Sequence, residues 1–323
     1  MEKIKNNIFE KPDMLPTRDG FGKALLELGE TNEKVVVLTA DVSGSVRTNW
    51  FADKFPNRFY ELGIAEQNMV SVAVGMSLEN KIPFASTFGA FITGRVWDHI
   101  RILLSYSQTN VKLVGTHTGV TVGEDGATHQ ILEDIALMRV LPNMTVIVPS
   151  DFNQAKKAII ASANFNGPVY IRLGRQKTPI VMAEDAHFEI GKSQILKTGN
   201  DVTIVACGVL VYEAILASRE LEKIGISAEV INMHTIKPLD EKALLESVNK
   251  TGAIVSAEEH QIAGGLGSTI AESLVKSKPV PMEMVGIKDE FGMSGTSEGL
   301  LTYYNLRSKN IVESVKKVIK RKR

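Results

Sequence analysis

A single cysteine, Cys207, occurs in 323 residues. No disulfide can form within the chain, and no cluster of thiolates can hold a metal. Cys207 lies in the apolar run Val202-Thr-Ile-Val-Ala-Cys-Gly208, the setting of a small buried strand residue. An excess of one charge is also missing. Lys+Arg and Asp+Glu both number 37, so no global field draws nucleic acid or an acidic membrane surface. Apolar runs are short, none approaching the ~20 residues that span a bilayer. The first residues, Met1-Glu-Lys-Ile-Lys-Asn-Asn7, contain no apolar signal-peptide core. The expectation is a cytoplasmic chain with no nucleic-acid and no membrane partner. What is present, 44% hydrophobic and 23% charged residues, is the ordinary content of a globular chain. At roughly 100–200 residues per domain, the length allows two domains.

Short β-rich runs alternate with helical patterns. Strands are expected at Val35–Ala40, Arg58–Leu62, Ile82–Thr87, Val111–His117, Thr145–Pro149 and Val169–Leu173. These runs are apolar nearly end to end, as parallel strands covered on both faces should be. Between them, helical spacing marks Arg18–Leu28, Glu66–Leu78, Gly94–Ser105, Gln130–Met138 and Asp151–Ala163. The alternation argues for a doubly wound α/β domain over residues 1–183. Pro179, Glu184-Asp185 and the polar Gly191-Lys-Ser-Gln194 interrupt the pattern and read as a linker around Gly174–Leu196. A smaller α/β domain over residues 184–323 follows, with strands near Val202–Cys207, Ala228–Met233, Ala253–Glu258 and Met282–Ile287. The chain ends in a helical pattern, Ile311–Arg323, whose basic terminus suits the negative end of a helix dipole.

Several segments can carry chemistry. Gly264-Gly-Leu-Gly-Ser268 follows a strand and opens a helix, as a dinucleotide fingerprint does, but its third glycine is missing. Either it meets a ligand or it is a glycine-rich turn without one. Gly123-Glu-Asp-Gly-Ala-Thr-His-Gln130 places two acids and a histidine in a loop between strand and helix, where open α/β sheets present ligand sites. Asp125 and His129 can orient hydroxyls and move protons there; the alternative is a tight turn in which Asp or Thr128 caps a helix. His117 ends the preceding strand. Phe88 and Phe91 open a helix just after another. Glu66 falls at a strand-to-helix junction in Gly63-Ile-Ala-Glu-Gln67, where the dipole alone favours an acid.

In order along the chain, Ala40-Asp-Val-Ser-Gly-Ser45, Gly63-Ile-Ala-Glu-Gln67, Thr87-Phe-Gly-Ala-Phe91 and Gly123-Glu-Asp-Gly-Ala-Thr-His-Gln130 resemble the pyrimidine-binding domain of transketolase. Glu258-Glu-His-Gln-Ile-Ala-Gly-Gly-Leu-Gly267 and Phe291-Gly-Met-Ser-Gly295 resemble its C-terminal domain. The resemblance implies a thiamine-diphosphate enzyme moving a two-carbon ketol unit from a ketose phosphate to an aldose phosphate. It implies that Glu66 meets N1′ of the aminopyrimidine, favouring the tautomer whose nitrogen can take the thiazolium proton, the cofactor being the electron sink. By the same resemblance Phe88 and Phe91 pack on the pyrimidine, with Gly94 where several relatives have a tyrosine, and Asp41 lies near the cofactor at a subunit boundary. Arg18, Ser45, His117 and Arg175 fall at the sugar-phosphate end of the channel, where guanidinium forks suit phosphate oxygens. Asp125 matches a contact to a substrate hydroxyl, and His129 a residue near the donor carbonyl.

The family holds diphosphate and Mg²⁺ with a Gly-Asp-Gly segment followed some thirty residues later by asparagine, and this chain has no Gly-Asp-Gly. No metal ligands are therefore expected here. An N-terminal-half partner subunit should supply that motif, in a two-fold symmetric heterotetramer. Deoxyxylulose-phosphate synthase shares the Asp-Gly-x-Thr-His-Gln block but usually has a basic residue near Phe91 and no histidine at His117. The β subunit of 2-oxo-acid dehydrogenases lacks that block. A regulatory subunit that kept the fold and lost catalysis is the non-enzymatic alternative.

Overall fold

Val35, Val36, Val37 and Leu38 are all buried, yet they enter two different cores: Val35 and Val37 one, Val36 and Leu38 another. This is the signature of a strand covered on both faces, because successive side chains point to opposite sides. The computed structural model describes residues 2–322. It contains strands β1 (Met14–Pro16), β2 (Val35–Thr39), β3 (Phe59–Glu61), β4 (Ile82–Phe88), β5 (Lys112–Thr116), β6 (Thr145–Ile147) and β7 (Val169–Arg172). They are followed by β8 (Lys177–Pro179), β9 (Gln194–Lys197), β10 (Val202–Ala206), β11 (Ala228–Asn232), β12 (Thr235–Lys237), β13 (Ile254–Gln261) and β14 (Met282–Ile287). The first large sheet has the order β12-β6-β7-β5-β4-β2-β3 and the second β14-β13-β10-β11-β9. Both are parallel except for one edge strand each, β12 and β9. Two α/β domains built on parallel sheets are therefore present.

On one face of the first sheet, helices Thr17–Thr31 and Phe152–Ala163 pack through Phe21, Leu25, Ala155 and Ile159. The other face, under helix Glu66–Leu78, shares a core with the second sheet: Met69 and Val70 join Val205, Ile231 and Leu266. The outer face of the second sheet is closed by helices Leu210–Glu222 and Ser308–Ile319.

Four expectations shift. The helix expected over Gly94–Ser105 widens into π-type turns at Phe91–Arg95 and Ile100–Tyr106, separated by one α turn at Trp97–His99. Such widening re-aims side chains and recurs at functional sites. The helix expected from Gln130 begins only at Asp134, because the Gln130 side chain turns inward and donates to the Val120, Gly123 and Met293 carbonyls. The segment read as a linker contains β8, paired with β1, and the start of β9. Beyond it, β12 returns to the first sheet and pairs with β6. The last helix, expected over Ile311–Arg323, covers Ser308–Ile319 instead and stops short, because 320–322 leave the helix; Arg323 itself lies outside the described residues.

Candidate active site

Strand β3 lies to one side of β2 and β4 to the other. The chain therefore reverses direction across the sheet between β2 and β4, and a crevice opens beyond their carboxyl ends. Four of the expected residues fall on that edge. Asp41 follows β2, Phe88 ends β4, His117 follows β5 and Arg175 follows β7. Asp41 (φ 59°) and His117 (φ 56°) both adopt left-handed backbone, a strained choice for residues with side chains that clusters at functional sites.

The rings converge. Phe88 and Phe91 have centroids 5.9 Å apart, and His117 lies against Phe88 at 4.0 Å. The His129 ring meets Phe88 and Phe91 edge-on, at 5.9 and 5.5 Å. At the far side of Phe91 sits Arg95, its guanidinium 4.3 Å from the ring centroid. Arg95 also donates to Glu66 Oε1 at 2.7 Å. Glu66 is 3% exposed, and its Oε2 hydrogen-bonds nothing among the described residues. The sequence reading missed Arg95, although four residues after Phe91 on a helix is the spacing at which two side chains meet.

The opposite end is cationic. Thr17 and Gly174 are tied by two hydrogen bonds, Gly174 N–H to Thr17 Oγ1 at 2.7 Å and Thr17 Oγ1 to Gly174 C=O at 3.3 Å. That tie brings the adjacent Arg18 and Arg175 to one place. Arg18 donates to the Ser45 carbonyl at 2.8 Å and lies 3.3 Å from His117 Nε2. His117 Nδ1 is 2.8 Å from Thr116 Oγ1, so a proton on Nδ1 leaves Nε2 to accept from Arg18. Burial, then the charges of Arg18 and Arg175, push the His117 imidazolium down to about 3. His117 is thus a neutral ligand at any working pH. Arg18 has no carboxylate within ion-pair distance among the described residues; burial and the neighbouring Arg47 lower it to about 10, against the more distant charge of Asp19. Arg175 is held by Asp125 at 3.2 Å and the Val122 carbonyl at 3.1 Å. Asp41 is exposed and shares no hydrogen bond, ion pair or ring contact with these groups; its N–H donates to Glu61 at 2.6 Å.

The loop carrying Asp125 and His129 is braced from the second domain. Glu259, on β13, accepts the Thr121 N–H, and Ser297 Oγ donates to the Thr121 carbonyl at 2.7 Å. Gln130 reaches Met293 at 2.9 Å. Burial pushes Glu259 up to about 7, against the opposing charge of Arg172. Gly119 makes room for this carboxylate: a Cβ there would lie 2.3 Å from Glu259, at φ +77°. Gly119→Ala is therefore expected to cost about 2–4 kcal/mol through overpacking and left-handed strain. Denaturant unfolding should show this as a lower midpoint, whereas an unchanged midpoint would mean the loop yields freely. Glu259 lies within the Glu258–Gly267 block, but nothing in that block pointed to a contact with Thr121.

The Gly264–Gly267 turn resolves to its ligand-free reading. The Glu258 carboxylate accepts from Leu266 N–H at 2.7 Å and Gly267 N–H at 2.8 Å. A Cβ at Gly265 would lie 2.0 Å from that carboxylate. The glycines admit an internal anion to the helix start, which is where an external one would otherwise bind.

A reversal crevice with a buried acid and aromatic rings at one end, and uncompensated arginine at the other, defines a two-domain α/β enzyme subunit. Residues 13–181 match the family model of the transketolase pyrimidine-binding domain, and residues 191–311 that of the transketolase C-terminal domain. A Methanocaldococcus jannaschii protein named as a transketolase C-terminal section is 46% identical over 94% of this chain and 96% of its own length. The SqwH subunit of 6-deoxy-6-sulfo-D-fructose transketolase from Clostridium sp. (strain MSTE9) is 42% identical over 94% and 95%. A solved split-gene transketolase, described as an inactive beta4 tetramer, superposes with a TM-score of 0.90 and 48% identity, covering 96% of this chain and all of the other. The chain belongs to the transketolase family, as a C-terminal subunit of a split transferase, and membership implies dependence on thiamine diphosphate. The half-buried Phe88 and Phe91 rings and the unpartnered Oε2 of Glu66 fit the aminopyrimidine end of that cofactor. No group of three or more His, Cys, Asp or Glu among the described residues could hold a metal ion, and none of their helices is long and apolar enough to cross a membrane.

Proposed function

We propose that this chain, paired with an N-terminal-half subunit carrying Gly-Asp-Gly, transfers a two-carbon ketol unit from a ketose phosphate to an aldose phosphate. The observation that carries the reading is Arg18, a partly buried guanidinium with no carboxylate partner, held beside a neutral His117. A desolvated cation without a counter-ion is costly, and a substrate phosphate offsets that cost when bound. Arg18, Ser45, His117 and Arg175 would hold the phosphate, and Asp125 a hydroxyl beside the carbonyl. His129, whose ring edge meets Phe88 and Phe91, would pass a proton to or from the donor carbonyl oxygen. Glu66 would meet N1′, with Phe88 and Phe91 on the pyrimidine and Asp41 near the cofactor at the subunit boundary. Bound thiamine diphosphate supplies the electron sink for the two-carbon fragment. Diphosphate and Mg²⁺ fall to the partner, and the expected assembly is two copies of each subunit about a two-fold axis.

A ketol-transfer assay on the co-purified pair, with a panel of donors and acceptors, tests the reading. In that assay Arg175→Ala should raise KM for phosphorylated sugars about 10–100-fold, the worth of a hydrogen bond to a charged group at 1.5–3 kcal/mol. Unphosphorylated analogues should change little. Equal losses for both would make Arg175 structural.

A further inference from the structure

Beside Arg18 stands a second guanidinium that neither the sequence motifs nor the family resemblance assigns. Arg47, at φ +71°, follows the short helix Ser43–Val46. Its Nη1 donates to the Gly44 carbonyl at 2.9 Å, while Arg18 Nη1 donates to the next carbonyl, Ser45 O, at 2.8 Å. One turn thus holds the two guanidiniums side by side. Arg47 Nε donates to Asp19 Oδ1 at 2.6 Å, and Asp19 is the chain neighbour of Arg18. The pair is only partly exposed, 27% for Arg47 and 21% for Asp19. Arg47 also packs beside Trp50, 5.8 Å from the ring centroid, and Gly22 clears the space: a Cβ there would meet the Trp50 ring at 2.5 Å and Arg47 Cβ at 2.9 Å.

We propose that Arg47 is a specificity-determining residue for a dianionic terminal group, a phosphate monoester, because by holding the Asp19 carboxylate it leaves the adjacent Arg18 without an ion-pair partner. This rests on the sugar-phosphate reading of the Arg18 end. The charges are simple to follow. Arg18 and Asp19 alone sum to zero, and an unpaired Asp19 carboxylate would compete with substrate for the Arg18 guanidinium. With Arg47 present, the three groups sum to +1, and Asp19 is engaged elsewhere. The Nη2 of Arg47 hydrogen-bonds nothing among the described residues, so the fork keeps a donor beside the anion end.

The roles separate in a double-mutant cycle on the assembled enzyme, with a ketose phosphate and the same sugar lacking phosphate as paired donors. Arg47→Leu should raise KM for the phosphorylated donor tenfold or more, and change KM for the unphosphorylated one by less than about twofold. Asp19→Asn, nearly isosteric, should lower KM for the phosphorylated donor. The double variant Arg47→Leu/Asp19→Asn should return that KM to within about threefold of wild type, which a purely structural role for the pair does not allow. Equal losses on both donors, a double variant as poor as Arg47→Leu, or a higher KM in Asp19→Asn would each overturn the proposal. Arg18→Ala is the control. If it too fails to distinguish the donors, the phosphate end itself is misread; if it distinguishes them and Arg47→Leu does not, only the role of Arg47 falls.

Discussion

Glu66→Gln in the assembled enzyme is expected to lower kcat by about 10²–10⁴, the usual worth of a positioned acid–base group, with the fold intact. Glu66 is buried at the first turn of its helix, and its one side-chain partner among the described residues is Arg95. A glutamine keeps the shape and can still accept from Arg95 through its carbonyl oxygen. Arg95 is 45% exposed, so a weakened pair leaves no buried, unpaired cation, and the stability cost should be small. What glutamine cannot do is exchange a proton with N1′ of an aminopyrimidine. Circular dichroism and partner co-purification should therefore match wild type while turnover collapses. Activity within about threefold of wild type would show that Glu66 merely caps the positive end of the helix dipole, as an acid in a first turn often does.

How much of this was legible in the sequence depended on how local each cause is. The parallel strands were readable because burial on both faces writes a continuous apolar run, as in Val35–Leu38. The widened turns at Phe91–Arg95 and Ile100–Tyr106 were not, since π-type and α spacing differ by one residue per turn and the apolar pattern supports either. The brace on the active-site loop joins Thr121 to Glu259 across 138 positions, and no periodicity records such a contact. The glycine-rich turn was ambiguous for a physical reason. Glu258 needs the same small residues at the helix start as an external phosphate would. Arg95 stood at a readable spacing from Phe91, but its second partner, Glu66, comes from another helix. Arg47 joins Asp19 only because the start of the Thr17–Thr31 helix meets the end of the Ser43–Val46 turn. Family motifs supplied the expected residues of the site; the fold supplied the residues packed around them.

The purified chain alone is expected neither to turn over substrate nor to bind thiamine diphosphate tightly, and to gain both when its partner is added. In the proposed reading, the groups on this chain that would meet the cofactor reach only its pyrimidine: the carboxylate of Glu66 and the rings of Phe88 and Phe91. A diphosphate with Mg²⁺ needs oxygen ligands, of which one or two carboxylates usually come from protein. Among the described residues no group of three or more His, Cys, Asp or Glu could hold a metal ion, and the chain has no Gly-Asp-Gly. Stacking of aromatic rings contributes about 0.5–1.5 kcal/mol, and one charged hydrogen bond about 1.5–3. Together they fall well short of the roughly 8 kcal/mol that micromolar affinity requires. The flank of the site is also uncovered, because Ile64, two residues before Glu66, is 76% exposed. Apolar surface of that kind beside a crevice suits cover by another polypeptide. Calorimetric titration of thiamine diphosphate and Mg²⁺ into the isolated chain, repeated after mixing with the N-terminal-half subunit, measures the difference directly. Micromolar or tighter binding without the partner, or ketol transfer by the chain alone, would place the diphosphate site on this subunit and overturn the division of labour proposed above.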